Sequence, residues 1–342
     1  MARPSSLPPA PSSMLDPEGR PVLGAFAGPL PPVRLGAEHD GLRARTFRRK
    51  RWLFLSIQTD EWLFGMAVVH LGYLAKSFAY AFDGASRRIV ATKTSLGPTA
   101  ACRVSETWAP GSVASYRFGG LQTRLARAEP TASSRGELRA SVSASGLELA
   151  ASVDLDGPPA TLAVVVHPNG DPALLNANEK RLLLPTRGVA TVNGREISLD
   201  GGFGAYDYTH GVLPRRTQWR WVSFAGRAAC GTALGLNLVE GFNGESECAA
   251  WIGDELVPLG EAIVSYDRRN PRSSWSVTTR CGAVDLTLEV GDLHQETTNF
   301  KLVAASFTQA TGHYSGTVTL PGRAPLRLEG VLGVAEDQNT LW

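Results

Sequence analysis

Side chains that could carry acid–base chemistry occur close together in residues 203–221. Asp207 stands between Tyr206 and Tyr208, and His210 follows three residues after the aspartate. A carboxyl group in apolar surroundings has a raised pKa, because burial disfavours its charged form, and it can then supply a proton near neutral pH. We take Asp207, Tyr208 and His210 as candidate catalytic residues, with Asp207 as proton donor and His210 as its orienter or proton shuttle. The alternative interpretation is a polar turn that leads into an ordinary core strand.

Aromatic residues could supply an apolar wall for a ligand. If residues 217–224 form a strand, Trp219 and Trp221 point to one face of it, because side chains alternate along a strand. Each aromatic residue could instead pack in a core. The candidate ligand-binding residues are Trp52, Tyr73, Tyr206, Trp219, Trp221 and Trp251. Glu247 is a further acid–base candidate, and His70 is either a core histidine or a polar group inside the first domain.

The sequence lacks the signatures of metal, nucleotide and nucleophilic sites. Its six histidines have no HxH or HExxH spacing and its four cysteines have no CxxC spacing, so we expect no metal, although a site assembled in space stays open. No GxGxxG, phosphate loop or GxSxG elbow occurs, and we therefore expect no cofactor. A formal net charge of +2 argues against a dedicated nucleic-acid-binding protein.

Short apolar runs separated by Gly, Pro, Asn and Asp recur along the chain and predict strands rather than helices. Asn193-Gly194, between two such runs, suits a type I′ hairpin turn. A length of 342 residues suggests two packed units, and closed barrels would remove exposed strand edges. We therefore predict an all-β chain of two barrel-like or sandwich domains, residues 37–185 and 186–342. A loose Pro-rich segment, residues 1–36, precedes them.

A basic cluster comes before the first apolar run and contains Arg43, Arg45, Arg48, Arg49, Lys50 and Arg51. One interpretation is a solvated edge, and the other is peripheral contact of residues 43–51 with an anionic membrane. The N-terminus lacks the apolar stretch of a secretory signal, and charged residues interrupt the most hydrophobic window, residues 52–82. We expect a cytoplasmic protein, either a monomer or a homodimer.

Four motifs carry a family resemblance. They are RRKRW at residues 48–52 with Gly72-Tyr73 after it, D-Y-T-H-G with R-x-T-x-W-x-W within residues 207–221, G-L-N-L-V-E-G-F-N at residues 235–243, and F-x-Q-x-x-G-x-Y-S-G at residues 307–316 before a terminal G-x-x-E-D and Trp342. Together they resemble the bacterial family catalogued as domain of unknown function number 2804. More distantly, the chain is similar to the superfamily that includes carotenoid 1,2-hydratase, tocopherol cyclase and the fungal decalin-forming Diels–Alderases.

The resemblance implies two tandem lipocalin-like (calycin-like) antiparallel β-barrels with little helix, and a hydrophobic ligand in or between them. In the hydratase and cyclase relatives, a protein carboxylic acid is thought to protonate an alkene without a cofactor, and Asp207 best matches that acid. The residues expected around it are Tyr206, Tyr208, His210, Trp219 and Trp221. The family's closing motif often runs E-D-H, whereas Gln338 follows Glu336-Asp337 here, so no role of that histidine is carried over.

These observations leave two main functions open. The first is binding or transfer of an apolar lipid, isoprenoid or polyketide, which an interior packed solid with side chains would contradict. The second is a cofactor-free hydratase, cyclase or isomerase that uses Asp207 as its acid. Exposure of Asp207 to water, or a salt bridge with Arg216, would lower its pKa and leave it structural. A third possibility, an interaction protein that uses the basic cluster, has no other support in the sequence.

Overall fold

The computed structural model describes residues 6–35, 41–129, 136–299 and 304–342. The chain is 62% strand and 5% helix, and it forms two curled antiparallel sheets that match two tandem barrels. The predicted all-β fold is therefore confirmed.

The first sheet has 14 strands in the described residues, and they are listed here in chain order: β1 (Gly24–Ala27), β2 (Arg49–Gln58), β3 (Trp62–His70), β4 (Ala75–Asp83), β5 (Arg88–Gly97), β6 (Cys102–Val104), β7 (Val113–Phe118), β8 (Leu121–Arg127), β9 (Glu137–Ala144), β10 (Leu147–Asp154), β11 (Leu162–Val166), β12 (Leu175–Val192), β13 (Arg195–Ser198) and β14 (Phe203–Val212). Their main order in space is β5-β4-β3-β2-β14-β12-β10-β9-β8-β7-β6. Strand β1 joins through β11 to β12, and β13 forms a hairpin with β12.

The second sheet has nine strands in the described residues: β15 (Arg216–Arg227), β16 (Ala233–Gly241), β17 (Ala249–Ile252), β18 (Glu255–Pro258), β19 (Ala262–Ser265), β20 (Trp275–Thr279), β21 (Val284–Asn299), β22 (Ala304–Val318) and β23 (Leu326–Leu341). Their order is β18-β17-β16-β15-β23-β22-β21-β20-β19. In the described residues, helical structure consists of α1 (Leu42–Phe47) and short 3-10 turns at Thr99–Ala101, Pro168–Gly170 and Gly244–Glu247.

Polar contacts between distant strands show how each sheet curls. In the first, Ser77 on β4 donates to the Thr123 hydroxyl on β8 at 3.0 Å, and apolar side chains fill the interior between them. In the second, Val264 on β19 donates its backbone N–H to Glu240 on β16 at 3.1 Å. Both sheets therefore bend until strands from their two ends meet, as barrels require.

Strands β2, β3 and β4 are buried on both faces. Their inward side chains belong to the first interior, whereas Phe54, Ala67 and Phe78 pack with residues of the second sheet in another core. Sheets covered on both faces have nearly continuous apolar runs rather than alternating ones. The runs at residues 53–57 and 62–68 have this composition because the second sheet covers the outside of the first barrel.

The two sheets divide at a later point than the sequence predicts. The predicted boundary between residues 185 and 186 lies inside β12, a strand that pairs with β10, β11, β13 and β14 of the first sheet. The division falls between the end of β14 at Val212 and the start of β15 at Arg216. A polar strand in the centre of a sheet resembles a linker in sequence, which explains the difference.

The Pro-rich N-terminal segment covers one part of the first sheet. Residues 1–5 and 36 of the predicted loose segment lie outside the described residues. Strand β1 pairs with β11, and Met14, Phe26 and Leu30 are buried against it. Residues 6–35 are thus an ordered layer of the first domain.

The basic cluster is divided between the surface and the interior. Arg43, Arg45 and Arg48 are exposed on and beside α1, whereas Lys50 is buried and donates to the backbone oxygens of Phe47 and Leu71 at 2.9 and 2.8 Å. Burial lowers the pKa of Lys50 to about 7. Contact of residues 43–51 with an anionic membrane stays a prediction. Within the described ranges, no helix has the length and hydropathy needed to cross a membrane.

Candidate functional site

A cavity of about 440 Å³ lies between the outer face of the first sheet and the second sheet. Its apolar wall includes Trp52, Phe54, Phe78, Trp219, Trp221 and Phe307. Trp52 stacks on Trp219 with ring centroids 6.1 Å apart, and Phe54 meets Trp221 edge-on at 5.3 Å. Each pair joins one residue of the first sheet to one of the second. The cavity falls within the roughly 300–1,000 Å³ range of small-molecule sites.

The cavity wall is exposed to solvent in one part, around Leu96. Leu96, which is 40% exposed, lines this part together with the half-buried Tyr73 and Trp342. Elsewhere in the wall, Trp221 and Val239 are buried. An apolar molecule could therefore enter beside Leu96 and pass inward between the two sheets.

A buried ion cluster lies in the cavity wall around Lys180. Its ammonium contacts Asp207 Oδ2 and lies 3.1 Å from Glu247 Oε2, and only 3% of the lysine side chain is exposed. Asn178 and Asn243 donate hydrogen bonds to Glu247 Oε1. Burial alone would lower the pKa of Lys180, but the two carboxylates offset this and hold that pKa above its usual value. Lys180 is therefore a permanent cation.

Asp207 is the member of this cluster that lies beside the aromatic wall. Burial raises the pKa of Asp207; the Lys180 ammonium opposes this rise and the Glu247 carboxylate adds to it. Asp207 Oδ1 has no hydrogen-bond partner in the part of the chain that the structure describes. One oxygen of Asp207 thus binds lysine, and the other is buried in the cavity wall.

Glu336 is a second carboxyl group in the same wall. It accepts hydrogen bonds from Trp219 Nε1 at 2.9 Å and Gln309 Nε2 at 3.0 Å, and the Gln309 oxygen accepts from the Tyr80 hydroxyl at 2.7 Å. Both donors to Glu336 are neutral. Burial, with a further contribution from the negative charge of Asp207, raises the pKa of Glu336 to about 7. A carboxyl group with this pKa is partly protonated at neutral pH.

A separate ion pair, Lys76 with Glu296, also lines the cavity. Lys76 Nζ lies 2.5 Å from Glu296 Oε2, and Glu296 Oε1 lies 2.9 Å from His294 Nε2. Burial acts in the opposite direction, but the His294 hydrogen bond and the Lys76 charge lower the pKa of Glu296 to about 2. Glu296 is therefore ionised and neutralises Lys76.

The structure brings five of the predicted site residues to the cavity: Trp52, Tyr73, Asp207, Trp219 and Trp221. The other four do not line it: Tyr206, Tyr208, His210 and Trp251. Strand alternation explains the first three, since Asp207 and its even-numbered neighbours on β14 point to opposite faces of the sheet, whereas Trp251 lies on β17.

His210 and Tyr208 lie on the interior side of the first barrel. The Tyr208 ring stacks on Trp108 at 5.9 Å, and its hydroxyl donates to the Ser105 carbonyl at 2.9 Å. His210 Nδ1 lies 2.8 Å from the Glu106 carbonyl, and burial lowers the pKa of His210 to about 3. The expectation that His210 orients Asp207 therefore does not fit the geometry.

Tyr206 and Trp251 have structural partners outside the cavity. The Tyr206 hydroxyl lies 3.4 Å from Glu179, a buried acid that also accepts the Leu30 backbone N–H at 2.9 Å. Trp251 donates to the Ala160 carbonyl at 2.9 Å and is fully buried. Both residues join chain segments rather than bind a ligand in this cavity.

Lys76, Lys180 and Glu296 were not predicted as site residues from the sequence, and Glu336 appeared only within a motif. Glu336 faces the cavity because its strand pairs with β15, where it lies opposite Trp221, and this pairing joins distant parts of the sequence. No signal in the sequence marked Lys180. Within the described ranges, no group of three or more His, Cys, Asp or Glu residues has the arrangement of a metal site.

Glu336→Gln is expected to stabilise the fold at alkaline pH by about 3 kcal/mol. The unfolded chain releases this proton near pH 4.5, whereas the folded chain holds it up to about pH 7. Stability is therefore highest below the unfolded pKa and falls as the pH rises toward 7. Glutamine cannot ionise, so the variant does not lose stability as the pH rises. If the Gln309 amide flips, the hydrogen bonds of residue 336 with Trp219 and Gln309 can both be kept. Urea denaturation at about pH 5 and about pH 9 measures the difference.

Glu329→Gln is the matched control, because Glu329 lies on the same strand, is exposed and pairs with Arg327 at 3.0 Å. It should change stability by less than about 0.5 kcal/mol at either pH. Equal effects of the two substitutions at about pH 9 would contradict the raised pKa of Glu336.

Comparisons with known proteins gave a family match and two structural likenesses. The family model described as Domain of unknown function (DUF2804) matches residues 9–342. No curated protein matches the chain. An AttH-like protein from Nitrosomonas europaea is 12% identical with a TM-score of 0.49, over 91% of this chain and 98% of that one. Kievitone hydratase from Nectria haematococca is 14% identical with a TM-score of 0.48, over 98% of both chains.

Proposed function

We propose that this chain, which belongs to the family described as a domain of unknown function (DUF2804), binds an apolar small molecule between its two sheets. The observation that carries the proposal is the cavity of about 440 Å³ with its aromatic wall. Protein interiors are otherwise close-packed, and side chains around an empty space lose dispersion contacts. A bound apolar molecule restores those contacts and removes its own surface from water.

The shape of the site favours a ligand with an apolar body and a polar end. Trp52, Phe54 and Trp221 offer ring faces and edges, while Asp207 and Glu336 supply a few convergent polar atoms. Sites of this composition use apolar area for affinity and a small number of polar groups for orientation. The ligand would therefore lie along the rings with its polar end at the carboxyl groups.

A second function, cofactor-free acid catalysis, rests on one specific observation. Glu336 lies in the apolar wall with only the neutral donors Trp219 and Gln309, and burial raises its pKa to about 7. Its protonated form could transfer the proton to one carbon of an alkene, whose π electrons would form the new C–H bond. The adjacent carbon would become cationic, the faces of Trp219 and Trp221 would stabilise it, and water or loss of a proton would complete a hydration or isomerisation.

Glu336 is a better proton donor than Asp207 in this scheme. The salt bridge considered for Asp207 forms with Lys180, not with the exposed Arg216, and it holds one carboxylate oxygen. A neighbouring cation favours the ionised form of an acid, whereas the partners of Glu336 carry no charge. Asp207 could then accept a proton from the attacking water.

Native mass spectrometry with solvent extraction tests both functions on the purified full chain. We expect an apolar molecule to leave with the solvent from wild-type protein and from Glu329→Gln. If the same molecule is carried by wild type, Asp207→Asn and Glu336→Gln, the protein is a carrier. If wild type holds a hydrated or isomerised product and Glu336→Gln holds its precursor, the protein is an enzyme.

Failure of the binding proposal would also be visible. Folded wild-type protein that is empty after purification, and that takes up no apolar probe added in excess, would contradict it. A folded chain is shown by an unchanged circular dichroism spectrum and a cooperative urea transition.

A further inference from the structure

The charged side chains of the cavity wall do not balance. Two are cationic and four are carboxyl groups: Lys76, Lys180, Asp207, Glu247, Glu296 and Glu336. Among the residues that the structure describes, the wall contains no arginine. With Asp207, Glu247 and Glu296 ionised, these six groups sum to one negative charge when Glu336 is protonated and to two when it is ionised.

The pairing of these groups shows where the excess lies. Glu296 is matched by Lys76 at 2.5 Å. Lys180 is shared between Asp207 and Glu247, and Glu336 receives only the neutral donors Trp219 and Gln309. The uncompensated charge therefore belongs to the part of the wall formed by Asp207 and Glu336, whose negative charges also act on each other.

We infer that the cavity selects apolar molecules that carry a protonated amine and rejects those that carry a carboxylate. The inference rests on the proposed binding function and names its ligand class. An ammonium group beside Asp207 and Glu336 would balance the excess charge in a region of low dielectric, where unpaired charge is costly. Asp207 lines the cavity and 15% of its side chain is exposed, so an ammonium group could approach it there.

The aromatic wall favours the same ligand class. Trp219 both donates to Glu336 and stacks on Trp52, so ring faces and a carboxyl group border the same space. Ring faces attract cations through their quadrupole, most strongly when the cation is shielded from water. A carboxylate, in contrast, would meet two lysines that already contact protein carboxylates.

Isothermal titration of three probes with one alkyl chain tests the inference: dodecylamine, dodecanol and dodecanoate. At about pH 8 the amine is cationic, the alcohol neutral and the acid anionic. We expect dodecylamine to bind at least about tenfold more tightly than dodecanol, and dodecanoate to bind more weakly than both. The shared chain keeps the buried apolar area constant, so the differences report the polar end.

The results separate failure of this inference from failure of the binding proposal. Dodecanoate or dodecanol binding as tightly as dodecylamine would overturn the charge selection and leave apolar binding intact. Binding of none of the probes would contradict both. A tenfold preference of the folded protein for the amine, with loss of all binding once urea has unfolded the chain, would support both.

Two variants locate the selection in the cavity. Glu336→Gln removes one of the two excess charges and should reduce the amine-to-carboxylate affinity ratio by about tenfold at about pH 8. Glu329→Gln removes an exposed charge from the same strand and should leave that ratio unchanged. Equal ratios in both variants would place the selection outside the cavity and overturn the inference.

Discussion

Replacing Lys180 with methionine is expected to lower the free energy of unfolding by about 3 to 5 kcal/mol at about pH 8. The ammonium is almost fully buried between Asp207 and Glu247, and methionine offers a similar length without charge. Two carboxylates would then remain in the interior without a cation in contact. Removing one partner of a buried ion cluster is far more costly than replacing the whole cluster, because the remaining charge is unpaired. Urea denaturation measures the loss.

The same experiment at about pH 5 should give a smaller loss, because unpaired buried carboxylates take up protons as the pH falls. Adding Asp207→Asn and Glu247→Gln to Lys180→Met should recover much of the stability, since no buried charge is then left alone. Arg216→Met removes an exposed cation and serves as control. A loss below about 1 kcal/mol for Lys180→Met would show that water or a rearrangement compensates the carboxylates.

The strand pattern was predictable because its signals are local. Gly, Pro, Asn and Asp interrupt apolar runs at the ends of strands, and these residue types act through their own backbone conformations. Asn193 and Gly194 both have positive φ, 50° and 84°, in the tight turn between β12 and β13. This is the conformation that an Asn-Gly pair favours in a type I′ turn.

The contents of the site were only partly predictable. Strand alternation alone separates Asp207 from Tyr208 and His210. A strict use of that rule would have placed both residues on the opposite face of the sheet from Asp207. The rule cannot say which face meets a cavity. That depends on the second sheet, which covers the outside of β2 and β14 and brings Trp219 against Trp52.

The missing polar residues depend on contacts between distant parts of the chain. Lys180 meets Glu247 of the second domain, and Glu336 meets Trp219 through the pairing of β15 with β23. The run Asn178-Glu179-Lys180 has the composition of a linker, yet all three residues are buried in the central strand β12. Their burial is tolerated because each charge has a partner, and those partners lie far away in sequence.

Ala305→Trp is expected to weaken binding of apolar probes by at least about tenfold while the protein stays folded. Ala305 lines the cavity and pairs with the partly exposed Thr298 on β21 and with the buried Thr340 on β23. An indole group at this position would occupy the space that a ligand needs and close the entry between the sheets. Titration with the probe that binds wild type most tightly measures the change.

Ser306→Trp supplies the matched control, since it adds the same side chain one residue further along β22, on the exposed face. Both variants should unfold within about 1 kcal/mol of each other, because each adds bulk where space exists rather than in a packed core. Undiminished binding by Ala305→Trp would place the ligand outside this cavity. Loss of binding only in Ala305→Trp would tie the ligand to the space between the two sheets, because the two variants differ only in the face of the strand that carries the ring.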